Sequence, residues 1–317
     1  MPSSCTLCKR RDAIYTRPYS GEKICSRCFC NSIEKKVKHT IAKHKMLRYD
    51  DKIAVGVSGG KDSMALLHIL SKLEAAFPKA EIIAITVDEG ISQYREEALE
   101  IVEEGCRRLQ IENISVSFKE MFGLSLDELA TRFVYGESKS GLTPCSYCGV
   151  LRRRALNNLA REHGAKKLVT AHNLDDEVQT ALLNFFHGDP LRMARAGPVS
   201  PHSHPSFVQR VKPFSEVLER ETTLYAYLKR IEFQSKPCPY ASTALRTDIR
   251  TMLNRMEEKH AGLKYTVYRS AETVSSIIKS TVKSQDLKEC LRCQEPTANE
   301  ICQACKIIQD QCLGSGS

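Results

Sequence analysis

Short apolar runs alternate with amphipathic stretches from residue 52 to residue 186, and this rhythm predicts the architecture. Residues 52–57 (Lys-Ile-Ala-Val-Gly-Val) form the unbroken apolar run of a strand buried on both faces. Leu66, Leu67, Leu70 and Leu73 then recur on one face of a helix. The pattern continues with strands over 81–87, 113–118 and 167–170, helices over 94–109, 126–133 and 149–163, and a last helix that follows the 171–177 segment and runs on to Phe186. Strands alternating with helices imply an α/β fold built on an open parallel sheet with right-handed crossovers. Ligands of such sheets bind beyond the carboxyl ends of the strands. Two more helices are expected over 245–260 and 265–279. Residues 189–209, rich in Pro, Gly, His and Ser, are expected as an exposed loop that orders on a substrate.

Composition adds limits. Of 317 residues, 42% are hydrophobic and 27% charged, enough for a packed core and against overall disorder. No apolar run approaches the length of a membrane span and no signal-peptide core is present, so a soluble, cytoplasmic protein without a membrane partner is expected. The net charge of +9 suits a polyanionic partner without identifying one.

The candidate chemistry begins where the first strand meets its helix, at Ser58-Gly59-Gly60-Lys61-Asp62-Ser63. Glycines let the backbone approach a phosphate, and free N–H groups at a helix start point at it. Lys61 adds charge, and Ser58 and Ser63 add hydroxyl donors. A Walker loop would need glycine in place of Val55 and Ser or Thr in place of Asp62. The stretch instead resembles the PP-loop of ATP pyrophosphatases, SGGxDS. That resemblance implies ATP held by its β- and γ-phosphates and reaction at the α-phosphorus.

Of 14 cysteines, 11 fall into three groups. Cys5-x-x-Cys8 with Cys25-x-x-Cys28, and Cys290-x-x-Cys293 with Cys302-x-x-Cys305, each have the spacing of a tetrahedral four-cysteine zinc site. Two Zn²⁺ ions are expected, with a folding role. Cys145-x-x-Cys148 is joined only by the distant Cys238. Three thiolates suit a zinc ion with an open position, or an iron–sulfur cluster with one iron lacking a protein ligand. A redox CxxC with Cys238 merely buried is the third reading. Cys30, Cys106 and Cys312 are read as packing or spare thiols.

The combination of a PP-loop, flanking four-cysteine modules, an internal CxxC and a later lone cysteine resembles the tRNA 2-thiouridine synthetases, and most closely the cytosolic tRNA 2-thiolation group. Cys25-x-x-Cys28-Phe29-Cys30, Val87-Asp88-Glu89-Gly90-Ile91, residues 148–154 (Cys-Gly-Val-Leu-Arg-Arg-Arg) and His172-Asn173-x-Asp175-Asp176 all fit. The resemblance implies a two-step reaction. The wobble uridine (U34) is adenylated at O2 with loss of pyrophosphate, and sulfide then displaces AMP to give 2-thiouridine. It implies ATP and Mg²⁺, the phosphates meeting Ser58–Ser63 (Ser58, Gly59, Gly60, Lys61, Asp62, Ser63), and the adenosine meeting Val87 and Asp88. His172 and Asp175 join that nucleotide site, Asp62 and Asp176 are the candidate catalytic carboxylates, and Arg152 stabilises charge. By the same resemblance Cys145, Cys148 and Cys238 ligate a [4Fe–4S] cluster whose fourth iron receives sulfide, and Arg152, Arg153 and Arg154 contact tRNA phosphates. The implied partners are a tRNA with a wobble uridine, a ubiquitin-like thiocarboxylate sulfur carrier, and a related companion subunit or a second copy.

The expected division is an N-terminal zinc module (1–30), a basic helical linker (31–50), a PP-loop ATP pyrophosphatase domain (51–283), a C-terminal zinc module (284–312) and a flexible tail (313–317). Two other functions remain open on sequence. One is the same reaction through a cysteine persulfide and disulfide without a cluster; the other is a non-catalytic, zinc-containing tRNA-binding subunit.

Overall fold

A small antiparallel hairpin, β1 (Tyr15–Thr16) and β2 (Lys23–Ile24), leads into the long helix α1 (Ser26–Lys43). The computed structural model describes residues 3–77, 79–134, 143–201, 204–240, 245–281 and 287–312. Five strands, β3 (Lys52–Gly56), β4 (Glu81–Asp88), β5 (Glu112–Ser117), β6 (Lys167–Val169) and β7 (Gln209–Val211), form one parallel sheet in the order β5-β4-β3-β6-β7. The parallel α/β architecture flanked by two four-cysteine clusters is therefore as the sequence implied. The crossovers are α2 (Lys61–Glu74), α3 (Arg95–Leu109), then α4 (Phe118–Phe122), α5 (Leu126–Val134) and α6 (Pro144–Glu162), then α7 (Leu174–Phe186) and α8 (Pro190–Arg195). After the sheet come α9 (Glu219–Leu228), α10 (Leu245–Lys259), α11 (Leu263–Thr281), the hairpin β8 (Lys288–Glu289) and β9 (Pro296–Thr297), and α12 (Gln303–Cys312).

The chain runs outward from β3 through β4 to β5 and then returns to β6 on the other side of β3. That reversal opens a crevice at the carboxyl ends of β3 and β6, where open α/β sheets bind ligands. Ala54, Val55, Ala84, Ile85 and Val169 are fully buried in these central strands. Their near-continuous apolar sequence reflects helices on both faces.

Several elements depart from the sequence expectation. α6 starts at Pro144, so Cys145 and Cys148 lie within its first turns instead of ahead of it. Thr143, whose hydroxyl caps Ser146 N–H, and Pro144 at the first helical position explain this start. Residues 189–209 are not a bare loop: Asp189 caps α8, and Val199 bridges to Val211. β7 and α9 are additional elements. β7 is only three residues long with one fully buried side chain, which leaves little alternation to read. Cys28 and Cys30 lie on α1, which continues unbroken into the expected linker. The start of the C-terminal module at residues 284–286 and the tail at 313–317 lie outside the described residues.

The two four-cysteine modules are not separate beads. Cys5, Cys25, Phe29, Ile33 and Val37 share one buried cluster with β3 and α2. Cys290, Cys302, Ala304 and Ile307 share another with Tyr147, Leu151 and Ala155 of α6. Buried Glu221 of α9 also receives the guanidinium of Arg17 at 2.9 Å, which ties the first module to the helices packed on the sheet.

Candidate active site

The turn from β3 into α2 is shaped by two different glycines. Gly59 has φ +80, and a Cβ there would lie 2.6 Å from the Ala98 carbonyl oxygen, so both backbone and space require glycine. Gly60 is the N-cap of α2 with an ordinary φ of −78, and its added Cβ would meet nothing closer than Ser58 Oγ at 3.5 Å. The fold does not need glycine at 60; a ligand lying against the backbone would. No side chain caps α2, so its first N–H groups face the crevice with the positive end of the helix dipole. Ser63 Oγ accepts from Ser58 N at 3.1 Å and donates to the Gly60 carbonyl at 2.9 Å, which holds the loop open.

The loop forms one wall of a cleft of about 740 Å³. Val87 from β4, Thr170, Ala171 and His172 after β6, Asp176 of α7, and Arg246 and Arg250 of α10 complete it. Lys61 pairs with Asp62 at 2.7 Å and with Glu219 at 2.9 Å, and Arg250 grips the same Glu219 at 2.8 Å. Thr222 donates to Asp62. Burial raises Asp176 to about 6, and the charges of Asp62 and Glu219 add to the rise. His172 is held well below its usual range, first by burial and then by Lys212, Arg210, Arg246 and Arg152, and is neutral.

The two neighbouring aspartates separate. Asp176 faces the cleft and closes a capping box with Asn173. Asp175 does not line it: its carboxylate accepts from Lys264 and from Glu219 N at 2.8 Å, and so bolts α11 and α9 to α7. Asp88 does not line it either; its Oδ1 accepts from Gly90 N at 2.8 Å and makes the turn after β4. Glu219, Arg246, Arg250 and Gln234 belong to the site although no sequence motif marked them.

Cys145 and Cys148 stand one turn apart at the start of α6, where the helix dipole favours anionic sulfur. Cys238 reaches them on a segment tied down along its length. Gln234 donates to the Gly59 carbonyl, Lys236 to the Gln93 carbonyl at 2.8 Å, and Tyr240 Oη to Asp127 at 2.7 Å. Cys145 Sγ donates to the Tyr240 carbonyl at 2.9 Å. Burial pushes Cys148 up to about 11, partly offset by Arg152, and burial and Cys238 also raise Cys145.

The four-cysteine sets are drawn tighter. In each, all four sulfurs lie within 4.8 Å of one another, with Cys8–Cys25 at 3.9 Å and Cys293–Cys302 at 3.6 Å. Tetrahedral Zn–S bonds of about 2.3 Å give sulfur separations of about 3.8 Å. Cys5 falls to about 6 although burial opposes it, because amides of Cys25, Cys8 and Leu7 donate to its sulfur. Cys290 falls to about 6 in the same way. Among the described residues only these two sets converge so closely. Cys145, Cys148 and Cys238 do not all lie within that 4.8 Å.

The three consecutive arginines of α6 also diverge. Arg152 reaches the cleft. Arg153 is lowered to about 10 by burial and by Arg210, Arg192 and Arg152, and no carboxylate neutralises it among the described residues. Arg154 turns to the C-terminal module, 3.7 Å from Glu295 and 4.0 Å from Cys302 Sγ.

A family model described as a PP-loop domain matches residues 30–257. The chain is 35% identical to the tRNA 2-thiolation protein NcsA of Haloferax volcanii, across 96% of this chain and 98% of that protein. The chain belongs to the PP-loop family of tRNA 2-thiolation proteins. Within this tRNA 2-thiolation family, cytoplasmic tRNA 2-thiolation protein 1 of Chlamydomonas reinhardtii is 34% identical, with 97% of this chain and 85% of that one covered. The solved structure of the U34-tRNA thiolase NcsA from Methanococcus maripaludis with its [4Fe–4S] cluster matches with a TM-score of 0.83 at 31% identity, covering 97% of this chain and 96% of that one. As a tRNA 2-thiolation family member the chain carries the family's PP-loop, and no helix among its described residues is long and apolar enough to cross a membrane.

Proposed function

We propose that the protein is a cytoplasmic, ATP-dependent tRNA sulfurtransferase that converts the wobble uridine U34 to 2-thiouridine. One observation carries this reading: Arg152 stands in the nucleotide cleft and donates to Cys148 Sγ at 3.0 Å, so an activating site and a sulfur-handling site share one wall. The names of the relatives supply the tRNA and the base.

In the first step the α2 amides and Lys61 hold the ATP phosphates, and Glu219 gives way to them. Asp62 and Asp176, which both line the cleft, would hold Mg²⁺, and that ion would offset the charge of the polyphosphate. The uridine O2 attacks the α-phosphorus, the P–O bond to pyrophosphate breaks with its electron pair leaving on pyrophosphate, and the N3 proton passes to solvent, to be regained when hydrosulfide gives up its proton on forming C2=S. Val87 and the backbone beside it receive the adenosine. Neutral His172 cannot compete with the metal for phosphate charge and offers a hydrogen bond instead. In the second step sulfide forms the C2–S bond, and the C2–O bond breaks with AMP as the leaving group. Arg152 offsets charge on the departing phosphate.

Cys145, Cys148 and Cys238 would hold a [4Fe–4S] cluster, which supplies an iron free of protein ligands to present sulfide at C2. The contact of Cys148 with Arg152 at the cleft supports that placement. Zinc in the two four-cysteine sets has a structural part, and Arg153 meets a tRNA phosphate. The sulfur carrier and a companion subunit or second copy remain part of the same reading, as the domain boundaries at 30, 50, 283 and 312 do.

The test is anaerobic thiolation of a tRNA transcript with ATP and sulfide, beside iron analysis. Asp62→Ala and Cys238→Ala should each abolish 2-thiouridine. An iron-free preparation that still thiolates would overturn the cluster, full activity in Asp62→Ala would remove Asp62 from the catalytic set, and a wild type that binds tRNA without thiolating it would leave only a tRNA-binding subunit.

A further inference from the structure

Glu89, the residue after β4, is 2% exposed and meets two guanidinium groups. Arg152 donates from Nε to Glu89 Oε1 at 2.6 Å. Arg95 Nε lies 2.8 Å from Glu89 Oε2, and Arg95 is itself only 4% exposed. The two terminal nitrogens of Arg95 donate to the Ser58 and Val87 carbonyls, both at 2.9 Å. At the other end Arg152 Nη2 donates to Cys148 Sγ at 3.0 Å. A continuous polar chain thus runs from the main chain of the nucleotide loop, through Arg95, Glu89 and Arg152, to a thiol of the three-cysteine group.

We propose that Glu89 is a positioning residue: anchored by Arg95 to the Ser58 carbonyl, it fixes Arg152 so that one guanidinium faces both the nucleotide cleft and Cys148. A long side chain at the mouth of a cleft samples many rotamers. Holding its Nε removes most of them and leaves both terminal nitrogens for other partners. The fork geometry matters, since one planar group must satisfy a carboxylate and a sulfur at once. The charges fit the same role. Two guanidiniums against one carboxylate leave one positive charge, placed between the leaving phosphate and the sulfur. Gly90 contributes by local geometry: at φ +69, with an added Cβ meeting Ser125 Cβ at 2.7 Å, it fixes the turn that carries Glu89. What Arg152 is positioned for rests on the proposed transfer reaction; the polar chain itself does not.

The test uses the full chain with Glu89→Gln, Arg152→Ala, Arg152→Lys and the Glu89→Gln/Arg152→Ala pair. In metal-free, reduced protein at one fixed pH, iodoacetamide labelling is followed separately at Cys145 and Cys148 by mass spectrometry. Glu89→Gln and Arg152→Lys are expected to change the Cys148 rate and leave Cys145 near wild type. In the loaded enzyme each should lower thiolation turnover about tenfold, the size of one charge-assisted hydrogen bond, with little change in the KM for ATP. In the Arg152→Ala background Glu89→Gln should cost nothing further, because its effect passes through Arg152. Additive losses in the pair, or unchanged Cys148 labelling in both single variants, would overturn the proposal. Should Glu89→Gln fail to fold, Glu89→Asp, which keeps the charge and shortens the reach to Arg152, takes its place in the same assays and in the Arg152→Ala background. An inactive wild type would refute the transfer reading, while the labelling result would still decide the chain of contacts.

Discussion

Gln234 donates its backbone N–H to the Gly59 carbonyl at 2.9 Å and its side-chain amide to the Tyr94 carbonyl at 2.5 Å. The strand-like segment that delivers Cys238 is thereby an extension of the nucleotide loop itself. Residues far apart in the chain are thus joined by main-chain contacts, and the segment carrying the third thiol starts at the loop.

The two loop glycines should fail differently. Gly59→Ala forces a left-handed residue against the Ala98 carbonyl and is expected to destabilise the fold by about 1–3 kcal/mol, measured by denaturant melts. Gly60→Ala should leave the melt nearly unchanged while ATP affinity in calorimetry falls about tenfold or more, as expected when a phosphate must approach bare backbone.

Asp176 gives a pH signature. Its folded-state value of about 6 exceeds the ordinary 3.8, so the folded chain holds this proton more tightly than the unfolded chain does. Stability from this group is fullest below pH 3.8 and declines as pH rises toward 6. Asp176→Asn, which keeps the cap, should flatten that part of the stability–pH curve. Mg²⁺–nucleotide binding to the wild type should tighten over the same interval.

Glu219 pairs with both Lys61 and Arg250, two cations that face the cleft. Glu219→Gln is expected to strengthen ATP binding by a few-fold, on the order of 1 kcal/mol, in the same calorimetry. Weaker binding would mean that Glu219 is a nucleotide or Mg²⁺ contact and not a competitor.

The consecutive arginines should part company. Arg153→Ala is expected to weaken tRNA binding uniformly and to reduce the salt slope by about 1, as for one lost phosphate contact. Arg154→Ala should spare tRNA affinity and lower the thermal stability of the C-terminal module, where Glu295 would lose a partner.

Loss of a ligand from a four-cysteine set should exceed loss of an ordinary core thiol. Cys25→Ser is expected to cost about 3 kcal/mol or more, since metal binding in such sites supplies on the order of 10 kcal/mol. Cys106→Ala, at a buried thiol outside the four-cysteine sets, should cost about 1 kcal/mol by melting.

The sheet, the glycine loop and both four-cysteine sets are legible in the sequence because each is local: an apolar run, a glycine pair, a fixed spacing. Asp175 and Asp176 are not separable there, since adjacent carboxylates look alike until helix phase turns one to Lys264 and the other to the cleft. Glu219, Arg246 and Arg250 lie on ordinary amphipathic helices far along the chain from the loop, and only tertiary packing brings them to it. The start of α6 is written in Thr143-Pro144, a cap followed by proline, and that signal puts the CxxC inside the helix.

Helix α6 carries Cys145 and Cys148 on its leading turns and is braced along its flank by Cys290, Cys302 and Ile307. Those bracing residues are translated after the whole parallel sheet has been made. In the growing chain the flank of α6 therefore stays uncovered until the last segment is made, and the Cys145–Cys148 turn gains its final support only when synthesis is nearly finished.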